Sequence, residues 1–182
     1  MNRPTKTETF LTVADAMSLQ ATCPRLGVGA VLVRDNAILT TGFNGAPKSM
    51  PHCVDHGCLM VEGHCKRAVH AERNAIIWAA KRGPAIENSV MYLTHSPCFD
   101  CMTLMIQTGV QRVFFRNWYP IGRIDDRVVA LADLGQVTLI EVPPQGAEPI
   151  IHIMSDRILQ AQLLSLKWPY GNAGLSEETR NQ

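Results

Sequence analysis

The sequence has almost no net charge. Seventeen Lys and Arg face sixteen Asp and Glu, a formal balance of +1. A protein built to hold nucleic acid or an anionic membrane surface concentrates basic residues, so neither partner is expected. Long apolar runs are also missing, and none approaches the roughly 20 residues that a spanning helix needs. The stretch "MNRPTKTETF" has no apolar core followed by a small-residue cleavage site, so a cytoplasmic protein is expected. Internal repeats and low-complexity tracts are absent. Cysteine is not scarce: there are six, all between Cys23 and Cys101 and interspersed with His. Without a secretory segment, that pattern points to metal ligation or catalysis rather than to disulfides.

With 46% apolar and 18% charged residues in a chain of 182, one domain with a full hydrophobic core is expected. From Thr5 to Ala21, apolar residues fall at helical spacing (Phe10, Val13, Ala14, Met17, Ala21). Val28 to Asp35 and Ala37 to Phe43 are strand-like runs around a turn, and read as a hairpin. Asn44 to Arg67 shows no period and reads as a long ordered loop, functional or pinned by a metal. His70 to Arg82 reads as a helix with Trp78 in its apolar stripe, stopped by Gly83-Pro84. Strands follow at Ser89 to His95, Val110 to Arg116 and Gln136 to Val142. Helices separate them at Cys98 to Gly109 and Asp125 to Gly135. The expected fold is α/β: three layers, with a five-stranded mixed sheet that starts as an antiparallel hairpin and continues with parallel strands. The domain is expected to span residues 1–145. Residues 146–182 then form an extension, with an amphipathic helix from Ser155 to Trp168 that packs on its own domain, or alternatively on a neighbouring subunit, and a polar tail.

Two pieces carry chemistry: "HAERNAI" and "SPCFDC". His70, Cys98 and Cys101 are N and S donors of the kind Zn²⁺ prefers, and three protein ligands leave a fourth position for water. Cys98 and Cys101 fall in the first turn of a predicted helix, where the dipole and free N–H groups stabilise thiolates. Pro97 suits that start because its missing N–H costs nothing there. Zinc lowers the pKa of a bound water to about 7. Glu72 can take a proton from that water and pass it to a ring nitrogen and then to a leaving amine. A spacing of two places His70 and Glu72 about 200° apart on a regular helix, so both face one site only if the helix start reshapes them. A lone C-x-x-C would equally suit a structural knuckle, with Glu72 a surface residue. The combination H-x-E with P-C-x-x-C favours the open, catalytic arrangement, because it is the signature of zinc nucleobase deaminases.

From about Thr22 to Val142 the sequence resembles the deoxycytidylate (dCMP) deaminase family of bacteria and their phages. The resemblance rests on "TCPRLGVGAVLV", "GFNGAP", "GHCKRAVHAERNAI", "YLTHSPCFDCM" and "QTGVQRVFF". It implies the cytidine-deaminase fold and hydrolysis of dCMP to dUMP and ammonia, supplying thymidylate synthesis. It also implies a homo-oligomer, usually a hexamer, activated by dCTP and inhibited by dTTP with Mg²⁺. Asn44 matches the Asn that bonds the sugar 3′-hydroxyl, although an Asn-Gly turn would also explain it. Ala71 of the H-A-E motif is assigned to the substrate site. Phe43 stands where the family more often has Tyr, in a loop near the effector site together with Gly45, Lys48 and Arg25.

Four Cys remain: Cys23, Cys53, Cys58 and Cys65. They could close a second, structural zinc site, with His52, His56 or His64 replacing one of them; the alternative is buried free thiols. For the substrate phosphate, Arg116 and Arg123 flank Tyr119 in "RNWYPIGR" at a strand end, where open α/β sheets place ligands. Met50, Met60 and His95 read as packing or loop residues, and His152 as a surface or interface residue. A deaminase of another substrate, such as a nucleoside, a tRNA adenosine or a pterin-like ring, and a non-catalytic zinc module are the competing readings.

Overall fold

A computed structural model describes residues 3–61, 63–119, 125–143 and 149–153. Arg123 and the expected helix from Ser155 to Trp168 lie outside the described residues, as does the side chain of His64. Helix α1 (Lys6–Ser18) starts at Thr5, whose hydroxyl accepts from the Glu8 amide while Glu8 reaches back to the Thr5 amide. Strands β1 (Gly29–Arg34) and β2 (Ala37–Phe43) form the hairpin. Both residues of its tight turn, Asp35 and Asn36, sit at positive φ (52° and 61°), which matches the right-handed strand twist.

The segment expected to be a loop holds a short helix, α2 (Cys53–His56), and a two-stranded ribbon of β3 (Met60–Val61) and β4 (His64–Cys65). Then come α3 (Ala71–Arg82), β5 (Val90–His95), α4 (Phe99–Gln107), β6 (Arg112–Asn117), α5 (Asp126–Leu134), β7 (Thr138–Glu141) and β8 (Ile150–His152).

Among the described residues, the main sheet has six strands in the order β2-β1-β5-β6-β7-β8, not the expected five. The extra strand, β8, runs antiparallel to β7 and closes that edge, pairing Ile140 with Ile151. Pairs β5·β6 and β6·β7 are parallel, and β1 pairs antiparallel with both β2 and β5. Side chains alternate across the sheet. Leu32, Met91, Leu93, Val113, Phe115 and Leu139 face α3, α4 and α5. Val31, Val33, Tyr92 and Ile140 face Leu11 and Ala14 of α1. The result is the expected three layers.

Helix α3 packs on the sheet through Ala71, Ala75 and Ala79, small residues one turn apart that let it approach closely. That choice of face corrects the reading of Trp78. The indole is 42% exposed and lies flat beside Lys81 and Arg82, whose cations are 5.1 and 4.7 Å from its centroid.

Candidate metal centre

Two helix starts converge at the carboxyl end of β5. His70 is not inside α3 but is its N-cap, with extended backbone (φ −68°, ψ 154°). The 3.6-residue period therefore does not apply between His70 and Glu72, and both reach the same cavity. Pro97 holds Ser96 out of helical backbone, so the chain leaves β5 extended and turns into α4 at Cys98, the N-cap (φ −77°, ψ 169°). Cys101 lies in the first turn and is fully buried. Neither cap side chain is spent on its own helix. An Arg73–Asp100 ion pair at 3.1 Å joins the two first turns, a brace with no counterpart in the sequence reading.

His70 Nδ1 lies 3.5 Å from Cys98 Sγ and 3.4 Å from Cys101 Sγ. Tetrahedral zinc with bonds of about 2.3 Å to S and about 2.0 Å to N sets such atoms roughly 3.5 Å apart. The donor set and its spacing therefore fit zinc. The hydrogen bond from Cys101, helped by His70, holds the Cys98 thiol down to about 4, while the same bond pushes Cys101 up. The bond to Cys98 raises His70. Glu72, 4% exposed, is raised by burial.

These groups open on a cavity of about 330 Å³, large enough for a small ligand. Its wall includes Asn44, Ala71 and Tyr119 from the assigned substrate set, and Arg25 from the effector set. Leu26, Val28, Ala68, His95 and Ser96 also line it and were not assigned to it. Side-chain parity along β5 is the signal that could have found His95, because it shares a face with Met91 and Leu93.

Neither Asn44 nor Gly45 is at positive φ, so no tight Asn-Gly turn forms. Instead, Asn44 Oδ1 accepts from the Val28 amide (2.8 Å) and Nδ2 donates to the Leu26 carbonyl (2.7 Å). One amide hydrogen remains for a ligand. Gly45 is bridged to Val69 and Lys48 is exposed. Phe43 gives its carbonyl to Asn74. Arg116 points to the α1 side and pairs with Asp15 at 3.0 Å, away from the cavity wall.

A second cluster lies next to this cavity. The thiols of Cys53, Cys58 and Cys65 lie within 4.8 Å of one another; Cys23 is outside that group but shares the cavity wall with Cys65. Cys53 and Cys65 Sγ are 3.8 Å apart, and tetrahedral zinc–sulfur bonds of about 2.3 Å give about the same separation. Burial works against the Cys65 thiolate, but the amides of Ala68, Arg67 and Leu59 hold it down to about 7. Burial pushes Cys53 up to about 11.

The fold and this centre define a class: a three-layer α/β protein whose open His-Cys-Cys site is backed by a buried carboxylate. Residues 4–117 match the cytidine and deoxycytidylate deaminase zinc-binding region, and the chain belongs to that family. It is 40% identical over 119 residues to ComE operon protein 2 of Bacillus subtilis, covering 65% of this chain and 63% of that relative's length. It is 32% identical over 126 residues to a deoxycytidylate deaminase of Mycobacterium phage D29, covering 63% of this chain and 97% of the relative. The dCMP deaminase of cyanophage S-TIM5, solved with dCMP and dUMP, superposes with a TM-score of 0.67 at 30% identity, over 78% of this chain and all of the other. Among the described residues, no helix is long and apolar enough to cross a membrane.

Proposed function

We propose that the chain hydrolyses dCMP to dUMP and ammonia. The observation that carries this reading is the buried Glu72 beside the His70, Cys98 and Cys101 donors in one cavity of about 330 Å³. The likeness to a dCMP deaminase solved with dCMP and dUMP, over 78% of this chain, supports the substrate. His70, Cys98 and Cys101 would hold the zinc, which supplies a Lewis acid that brings a water's pKa to about 7. Glu72 takes the proton of the attacking water and hands it to N3 of the ring. It then takes the proton of the hydroxyl now on C4 and passes it to the departing amine as the C4–N bond breaks and the C4 carbonyl forms, so its carboxylate is restored at the end of the cycle. Asn44, held by Val28 and Leu26, offers its free amide hydrogen to the sugar. Arg25 is the only Arg or Lys lining the cavity among the described residues, which supports its guanidinium as the partner of the 5′-phosphate. Ammonia release from dCMP, deoxycytidine, cytidine and dCTP by the purified chain tests the reading. Absence of dCMP turnover would overturn it.

The same reading extends to a structural zinc on Cys53, Cys58 and Cys65, with Cys23 as the nearby fourth thiol. Elemental analysis should give two zinc per chain, and one would refute this part. It extends further to a cytoplasmic hexamer supplying thymidylate synthesis, activated by dCTP and inhibited by dTTP with Mg²⁺. A dCMP saturation curve that dCTP leaves unchanged would remove that regulation.

A further inference from the structure

Glu141, Trp118 and His152 form a small buttress at the end of β6 and β7. All three lie beyond the residues 4–117 that match the family. Trp118 is 7% exposed, and its indole N–H donates to Glu141 Oε2 at 2.9 Å. His152 Nε2 lies 3.0 Å from the same oxygen. A carboxylate only accepts, so His152 donates through Nε2. The imidazole also meets the indole edge-on, with centroids 4.9 Å apart at 88°, and leans on Phe115 at 6.1 Å. Phe115 packs its ring at 71° to Trp118. The indole is therefore held on three sides, and its one polar atom has a single partner.

Trp118 precedes Tyr119, which lines the cavity. The short segment is anchored on its other side by a ladder to β5. Asn117 Nδ2 donates to the Thr94 carbonyl (3.0 Å), the Ser96 amide to the Asn117 carbonyl (2.7 Å), and the Tyr119 amide to Ser96 Oγ (2.9 Å). We propose that Glu141 and His152 are positioning residues: by fixing Trp118 they set where Tyr119 stands against the substrate. The edge strand β8 thereby contributes to substrate binding without touching it. The proposal rests on the reading of Tyr119 as a substrate-site residue.

The test uses the zinc-loaded full chain. Glu141→Ala should raise KM for dCMP about tenfold with little change in kcat, because a buried indole donor loses its acceptor while the metal centre is untouched. Glu141→Gln keeps a carbonyl acceptor and should restore KM to near the wild-type value. His152→Ala should raise KM in the same direction. In a Tyr119→Ala background, Glu141→Ala should add little further, since both changes act on one contact. Hydrogen exchange at the Tyr119 amide is read in the same samples, without substrate, and should quicken in Glu141→Ala. Unchanged exchange there would overturn the buttress itself. Faster exchange with an unchanged KM would overturn the assignment of Tyr119 to the substrate site. Fully additive effects would overturn the route through Tyr119.

Discussion

Replacing Gly42 by Ala tests how the sheet sets the metal centre. Gly42 lies in β2 under the first turn of α3. A Cβ there would overlap the Ala71 carbonyl oxygen and stand 2.6 Å from the Ala75 amide nitrogen. Ordinary contact begins at 3.4 Å, so the second clash alone requires α3 to rise by about 0.8 Å, the difference between 3.4 and 2.6 Å. Both obstacles are backbone atoms, and no rotamer change absorbs the shift. Two bonds that tie this turn to β2 must stretch with it: Thr40 Oγ1 to the Ala75 carbonyl (2.9 Å) and Asn74 Nδ2 to the Phe43 carbonyl (2.7 Å).

Overpacking of this kind costs about 1–3 kcal/mol, which lowers the melting temperature of a chain this size by about 2–12 °C. The effect on chemistry is larger, because a misplacement near 1 Å costs on the order of 10²-fold. His70 caps α3 and moves with it, away from Cys98 and Cys101. Gly42→Ala should therefore lose about 10²-fold in kcat/KM for dCMP and hold zinc more weakly. Gly29→Ala is the matched control. Its Cβ would overlap the Ala14 carbonyl and stand 2.8 Å from the Ser18 amide nitrogen, a clash with α1 on the other face. The two variants should melt at similarly lowered temperatures, but only Gly42→Ala should lose zinc. Wild-type zinc content and kcat/KM in Gly42→Ala would mean that the height of α3 over β2 does not set the metal centre.

Glu72→Gln should keep its zinc and lower kcat by about 10²–10⁴-fold, measured as ammonia release; retained turnover would exclude the proton shuttle. The same substitution should stabilise the zinc-free protein at neutral pH. Burial raises the Glu72 carboxyl in the folded state, so the folded chain binds that proton more tightly than the unfolded one. The resulting penalty is absent below the ordinary value of 4.5, grows as pH rises to the raised value and is constant above it. The melting advantage of zinc-free Glu72→Gln over wild type should therefore shrink as pH falls toward 4.5, and an advantage independent of pH would contradict this account.

The layers and the meeting of His70, Cys98 and Cys101 were legible because they rest on local signals. The hairpin turn, the Gly stop after α3 and the P-C-x-x-C start of α4 all act within a few residues. What was not legible depends on which side of the sheet a side chain takes. Arg116 sits at a strand end, as a phosphate ligand should. It alternates with buried Phe115, however, and parity sends it to α1 and Asp15. The orientation of α3 is likewise set by the Ala71–Ala75–Ala79 row meeting Gly42, a contact between distant residues that leaves Trp78 outside. Strand β8 has three residues, too few for a periodic signal, and exists because β7 offers an open edge. The apparent conflict between His70 and Glu72 came from treating a cap as a helical residue. His is not among the usual capping residues, so nothing local marked it.

The two thiol clusters are joined through one residue. Cys65 belongs to the group with Cys53 and Cys58, and it also lines the cavity of His70 and Glu72, beside Ala68. Arg25 Nη1 touches Met60 Sδ at 3.7 Å, so the β3–β4 ribbon that the cluster would pin also carries a contact to the cavity's cation. A metal on these thiols would thus order a wall of the substrate site while leaving His70, Glu72, Cys98 and Cys101 alone. Cys58→Ser probes this cleanly, because Cys58 is not on the cavity wall. It should reduce the zinc count from two to one per chain. It should also raise KM for dCMP by about tenfold or more, on the order of what one charged hydrogen bond is worth, with kcat largely kept. If the zinc count falls and KM holds, the cluster stabilises the ribbon without shaping the site. If kcat collapses instead, the two centres are coupled through the α3 start rather than through Arg25.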